Sequence, residues 1–166
     1  MKYLLLLTFF ASISLPVFSD TSLYDRGRAY FYGDGVEQDN QKALFAFEQG
    51  SKAGDLDAVT ALGIMYIVGI GVENDNSKGL EYLNKAANSS HPKAQYYLGA
   101  MYYLGIGVTT DYDKAFDWIS LAANQDYLFA QHNLAEMYKE GIGIEKDLGK
   151  SAYWLKQIEE SKDSSQ

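Results

Sequence analysis

Ser90-His91-Pro92-Lys93 has the Ser-x-x-Lys spacing in which a lysine can take the proton of a serine hydroxyl and arm it for acyl transfer. A serine hydrolase built on that motif also needs Ser-Asx-Asn and Lys-Thr-Gly segments, and the chain contains neither. The same residues fit a helix start, with Ser90 as cap and Pro92 in a first turn where its missing N–H is not needed. His91 and His132 share no metal-ligand spacing. Asp75-Asn76-Ser77-Lys78-Gly79 lacks the alternating oxygen ligands and terminal glutamate of a calcium loop, and Lys78 stands where a ligand is required. Gly-x-Gly begins at Gly33, Gly69, Gly105 and Gly141. A phosphate-cradling loop would need a strand before it and a helix opening at once after it; here helical spacing precedes the glycines and several residues follow them. There is no cysteine, hence no thiol nucleophile and no disulfide. The expectation is no catalytic residue, no metal and no cofactor.

What must position these residues is a repeat. Gly33, Gly69, Gly105 and Gly141 recur at steps of 36, as do Gly35, Gly71, Gly107 and Gly143. Tyr30, Tyr66, Tyr102 and Tyr138 keep the same step. So do Asp39, Asp75, Asp111 and Asp147, and Lys42, Lys78, Lys114 and Lys150. A fixed period of this length marks a solenoid. Repeated positions serve stacking, so a binding site belongs where the copies differ.

The third copy shows the unit. Ala94, Leu98, Met101 and Tyr102 fall at helical spacing, which predicts an amphipathic helix over Ala94–Leu104. Gly99 inside it, like Gly27 and Gly63 in earlier copies, predicts close approach of a neighbouring helix. Gly105 ends the helix by taking the left-handed conformation cheaply. Asp111 is expected to cap a second helix that carries Ala115, Trp118, Ile119, Ala122 and Ala123 on one stripe. Trp118 and its counterpart Trp154 are expected to be buried there. One helix pair cannot bury its stripe alone, and stacked pairs share a continuous core.

Ala94-Gln95-Tyr96-Tyr97-Leu98-Gly99-Ala100-Met101-Tyr102, Gly105-Ile106-Gly107-Val108, Asp111-Tyr112-Asp113-Lys114-Ala115, Trp118 and Ala122-Ala123 together resemble the Sel1-like repeat, a relative of the tetratricopeptide repeat. The resemblance covers roughly residues 22 to 158. It implies an all-α fold, a right-handed α-solenoid of four stacked helix-turn-helix repeats at about 22–57, 58–93, 94–129 and 130–160. It also implies a module that binds proteins or peptides, often in secreted or periplasmic bacterial proteins, with no chemistry by default. The first copy departs from the pattern: Arg26 stands where Leu62, Leu98 and Leu134 stand later, and Ser22 stands for Ala58.

Composition agrees with a globular chain, at 47% apolar and 22% charged residues. The net charge of −8 argues against nucleic acid or an anionic membrane surface as partner. Residues 1–19 differ from the rest. Lys2 precedes an uncharged apolar run from Tyr3 to Leu15, Pro16 breaks it, and Val17-Phe18-Ser19 offers a peptidase site. This predicts a signal peptide cut between Ser19 and Asp20, a secreted protein with the periplasm as its expected compartment, and no stable membrane insertion afterwards. A polar tail is expected over 161–166.

At the slots of the first helix that stacking does not claim, the middle copies are apolar nearly all round and the outer copies are polar on one side. Ile64, Ile67 and Val68 of the second copy and Tyr97, Ala100, Tyr103 and Leu104 of the third are therefore expected to form one strip on the concave face. Arg28, Glu136 and Glu140 would rim it. The expected function is a non-catalytic interaction or scaffolding module that takes a protein or peptide ligand on that strip. The alternatives are a cell-wall or β-lactam hydrolase on the same fold, or a homodimer that uses the strip as its own interface.

Overall fold

Aspartates start helices at steps of 36 residues, and glycines end them. The structure, a computed structural model, describes residues 21–163. They form α1 (Leu23–Tyr32), α2 (Asn40–Lys52), α3 (Leu56–Val68), α4 (Asn76–Asn88), α5 (Pro92–Leu104), α6 (Tyr112–Ala123), α7 (Leu128–Glu140) and α8 (Leu148–Asp163), with no strand among the described residues. The chain is thus four helix pairs in series. Each helix packs on the one before and the one after, and α3 also meets both α1 and α5. The odd-numbered helices therefore share one face. The expected leader and its cleavage point lie outside the described residues, and α8 runs into the segment read as a polar tail. No helix of the described residues is long and apolar enough to cross a membrane.

The caps are those the repeat requires. Asp39, Asp75 and Asp111 accept first-turn N–H groups of α2, α4 and α6, and Asp147 accepts from the Lys150 N–H at 2.9 Å. Lys42 Nζ lies 2.9 Å from Asp39 and 5.5 Å from the centroid of the Tyr30 ring; Lys114 lies 3.0 Å from Asp111 and 5.3 Å from that of Tyr102. Lys78 instead donates to the Tyr66 hydroxyl at 2.7 Å. The Lys42 and Lys114 backbone N–H groups, and then their ammonium groups, hold Asp39 and Asp111 below the ordinary carboxylate range. What these caps add is present at neutral pH and is lost as the pH falls below that range. Gly33, Gly69, Gly105 and Gly141 take the left-handed conformation after α1, α3, α5 and α7.

The core runs between the two helices of each pair and on into the next pair. Leu62, Leu83, Leu98, Ile119 and Leu134 are buried along it, with alanines between them. The mid-helix glycines sit where the pairs close up: a Cβ on Gly99 would lie 2.7 Å from Ile119 Cγ1, and one on Gly63 2.9 Å from Leu83 Cδ2. Gln95 and Gln131 are buried polar side chains that the repeat also explains. Each donates to a carbonyl at the end of the preceding second helix, Ala87 at 3.3 Å and Ala123 at 3.4 Å.

Three expectations change. Trp118 and Trp154 are half-buried, not core: Ala115, Ile119, Ala122 and Ala123 are the buried residues of the α6 stripe, and the indoles pack against the margin of the buried clusters. α5 begins two residues before Ala94, because Pro92 fits a first turn. Ser90 does not cap it. The N-cap residue is His91, which makes no side-chain cap bond, while Ser90 sits in the left-handed region at φ 60° and donates its N–H to the Ala87 carbonyl. Ser90 therefore belongs to the turn that closes α4.

Candidate functional site on the first-helix face

Two hollows open on the face shared by α1, α3, α5 and α7. The first lies between α1, α3 and α5 and has a volume of about 120 Å³. Tyr24, Arg28 and Tyr32 of α1, Ile64 of α3, and Lys93 and Tyr97 of α5 line it. The second lies between α5 and α7, with a volume of about 340 Å³. Ala100, Tyr103 and Leu104 face Asn133, Glu136 and Ile142 across it.

The seven residues expected on one strip are thus divided. Ile64 and Tyr97 meet in the first hollow, and Ala100, Tyr103 and Leu104 line the second. Ile67 turns into the seam between α3 and α4, where a Cβ on Gly79 would lie 2.5 Å from its Cγ1. The missing side chain at Gly79 lets the two helices close on it. Val68 is 60% exposed at the end of α3, outside both hollows. None of the seven is fully buried.

Several contributors were not singled out for this face in the sequence. Tyr24 and Lys93 are 69 residues apart, yet Lys93 Nζ donates to the Tyr24 hydroxyl at 3.2 Å. The one sequence signal for Lys93 was the Ser-x-x-Lys match, and the structure gives that lysine another partner. Ser90 is exposed, in the turn that closes α4. Between the hollows Tyr96 packs on Tyr97 and Tyr127, with ring centroids 5.4 Å apart in each case, and on Phe129 at 6.3 Å. Burial, then the neighbouring Tyr97 and Tyr96, pushes the Tyr127 hydroxyl up to about 12, so it stays a neutral donor across the physiological range. A signal for this cluster was present in the run Tyr96-Tyr97 and in Tyr127 and Phe129, but the rings meet only because two repeats stack.

His91 Nε2 lies 3.4 Å from Asp57 Oδ1. Among the described residues no group of three or more His, Cys, Asp or Glu side chains could hold a metal ion. The face offers shape, aromatic surface and a few charges, which suits recognition.

Comparison with known proteins agrees with this architecture. The chain matches the family description Sel1 repeat over residues 21–55, 56–91, 92–127 and 128–161. No curated protein matches it. It is similar in structure to a protective antigen present in uropathogenic Escherichia coli strains that displays an SLR fold. The identity is 31% and the TM-score 0.76, over 84% of this chain and 30% of that one. A Sel1 repeat protein from Oxalobacter formigenes is similar at 27% identity and a TM-score of 0.74, over 85% of this chain and 58% of that one. The chain spans less than two thirds of the length of either protein.

Proposed function

The chain belongs to the Sel1 repeat family, and we propose that it is a secreted, non-catalytic module that holds a peptide or protein partner along its first-helix face. Sel1 repeat proteins are in general protein-interaction modules of scaffold type. The observation that carries the reading is the pair of solvent-open hollows on that face, lined by tyrosine and aliphatic side chains that the core does not consume. Tyrosine suits such a face because it gives large contact area for few frozen torsions and keeps a hydroxyl for hydrogen bonding.

The test pairs binding with stability. Tyr97→Ala and Ile64→Ser are both expected to weaken partner capture by about 1–2 kcal/mol each. Neither side chain is fully buried, so thermal melting should change far less than a core truncation would change it. Partner capture would be read by crosslinking in the native compartment, beside sizing of the purified protein. Unfolding by both substitutions would make the face core. A stable dimer that buries Tyr97 would make it a self-interface.

Secretion rests on Lys2, the apolar run from Tyr3 to Leu15 and the Val17-Phe18-Ser19 site. The exported protein is expected to begin at Asp20 on amino-terminal sequencing. Recovery of an intact amino terminus in the membrane fraction would show an anchor instead.

A further inference from the structure

Charge is unevenly distributed along the first-helix face. The hollow between α1, α3 and α5 is lined by two cations, Arg28 and Lys93, and by no acid. Both flank Tyr24: Arg28 Cζ lies 5.8 Å from its ring centroid, and Lys93 Nζ donates to its hydroxyl at 3.2 Å. Asp25 approaches Arg28 only to 3.8 Å, and each side chain is 54% exposed. A pair so exposed neutralises little. The hollow between α5 and α7 has the opposite sign. Glu136 lines it, Glu140 follows one turn on, and Lys139 stands between them at 3.1 and 3.8 Å.

Two cations gathered about one tyrosine stand out in a chain of net charge −8. The hydroxyl that accepts from Lys93 and the ring beside Arg28 are both uncharged, so neither cancels a positive charge. An anion in the hollow gains an attraction to each of them. A guanidinium and an ammonium match a carboxylate well, one as a planar fork and the other as a rotatable donor.

We propose that the Arg28–Lys93 hollow receives the carboxylate-bearing end of an extended peptide whose apolar residues run past Ile64 and Tyr97 toward the Glu136 hollow. The inference rests on the reading of this face as a peptide groove, and adds the ligand's chemistry and direction. Neighbouring helices pack about 8–10 Å apart, so two helix spacings come to about 16–20 Å. An extended chain rising about 3.3 Å per residue covers that in about five or six residues. The ligand is therefore acidic at one end, apolar in the middle, and neutral or basic at the other end.

The experiment is selection from a random heptapeptide library on the immobilised protein, once with free carboxyl ends and once as carboxamides. Enriched peptides are expected to carry aspartate, glutamate or a free carboxyl terminus at one end of an apolar stretch; the carboxamide arm tells a side-chain carboxylate from a terminal one. Arg28→Glu, at a largely exposed side chain, should weaken the enriched peptides about tenfold while the circular dichroism stays unchanged. Lys93→Met should weaken them several-fold, and added salt should weaken them in the unmodified protein but not in Arg28→Glu. Peptides that bind equally well to Arg28→Glu, or that carry no acid, would overturn the inference and leave the groove standing. Enrichment of nothing from either library would overturn the groove and the inference together.

Discussion

Gly143→Ala is expected to destabilise the protein by about 2–4 kcal/mol, and Gly35→Ala, at the equivalent position of the first repeat, by only about 1 kcal/mol. The two glycines have nearly the same backbone, φ 65° and 69°, so the strain of a side chain in the left-handed region is common to both. Their surroundings differ. A Cβ on Gly143 would overlap the Tyr112 carbonyl group of the preceding repeat, whereas one on Gly35 meets nothing within 4 Å. Gly71 and Gly107 show the same close approach, with Asn40 O at 2.7 Å and Asn76 Cβ at 2.9 Å from the added atom. The second glycine of each turn thus serves the stacking of one repeat on the one before it, and the first repeat has none before it. In a solenoid, stability is close to a sum of unit and nearest-neighbour contributions. Gly143→Ala should therefore loosen α7 and α8 first. Urea unfolding should lose part of its helical signal in an early step, and hydrogen exchange should speed up in those helices. Equal effects at the two glycines, or uniform loss of protection along the chain, would refute this assignment.

The same asymmetry explains which features were legible in the sequence. The caps were, because aspartate before a helix and glycine after one act through bonds a few residues long, and they recur in register. The close approach at Gly63 and Gly99 was legible as a mid-helix glycine that propensity alone disfavours. The division of the binding strip was not. Helical spacing places Ile64 and Ile67 near each other, but Ile67 is drawn to α4 by the absence of a side chain at Gly79, a contact across a turn. The pairing of Tyr24 with Lys93 depends on how three repeats stack, which no local pattern encodes. Ser90 was misassigned because a serine ahead of His-Pro has the composition of a cap, while its own φ of 60° makes it the end of the helix before. Periodicity identifies what each repeat does for its neighbours. It is silent on a residue such as Lys93, whose counterparts 36 residues away, Asp57 and Phe129, are of different types.

Leu98→Ala is expected to cost about 3–4 kcal/mol, and Trp118→Ala about 2–3 kcal/mol, despite the larger side chain lost in the second case. Leu98 is fully buried among Val59, Ala86, Ala87 and Ala94, drawn from α3, α4 and its own α5. Truncation there leaves a cavity between backbones already held at alanine distance, which cannot close without shifting whole helices. Trp118 packs against the same cluster but keeps part of its indole in solvent, so water can fill the space it vacates. Leu98 occupies the slot that Arg26 fills in the first repeat. The loss should therefore fall on the middle of the solenoid, where each pair has a neighbour on both sides. A domain of this size has about 5–15 kcal/mol in all, so Leu98→Ala should still fold, with a lower urea midpoint and an unchanged slope. A loss under about 1 kcal/mol for Leu98→Ala, or a larger one for Trp118→Ala, would mean that the indoles and not the leucines form the core.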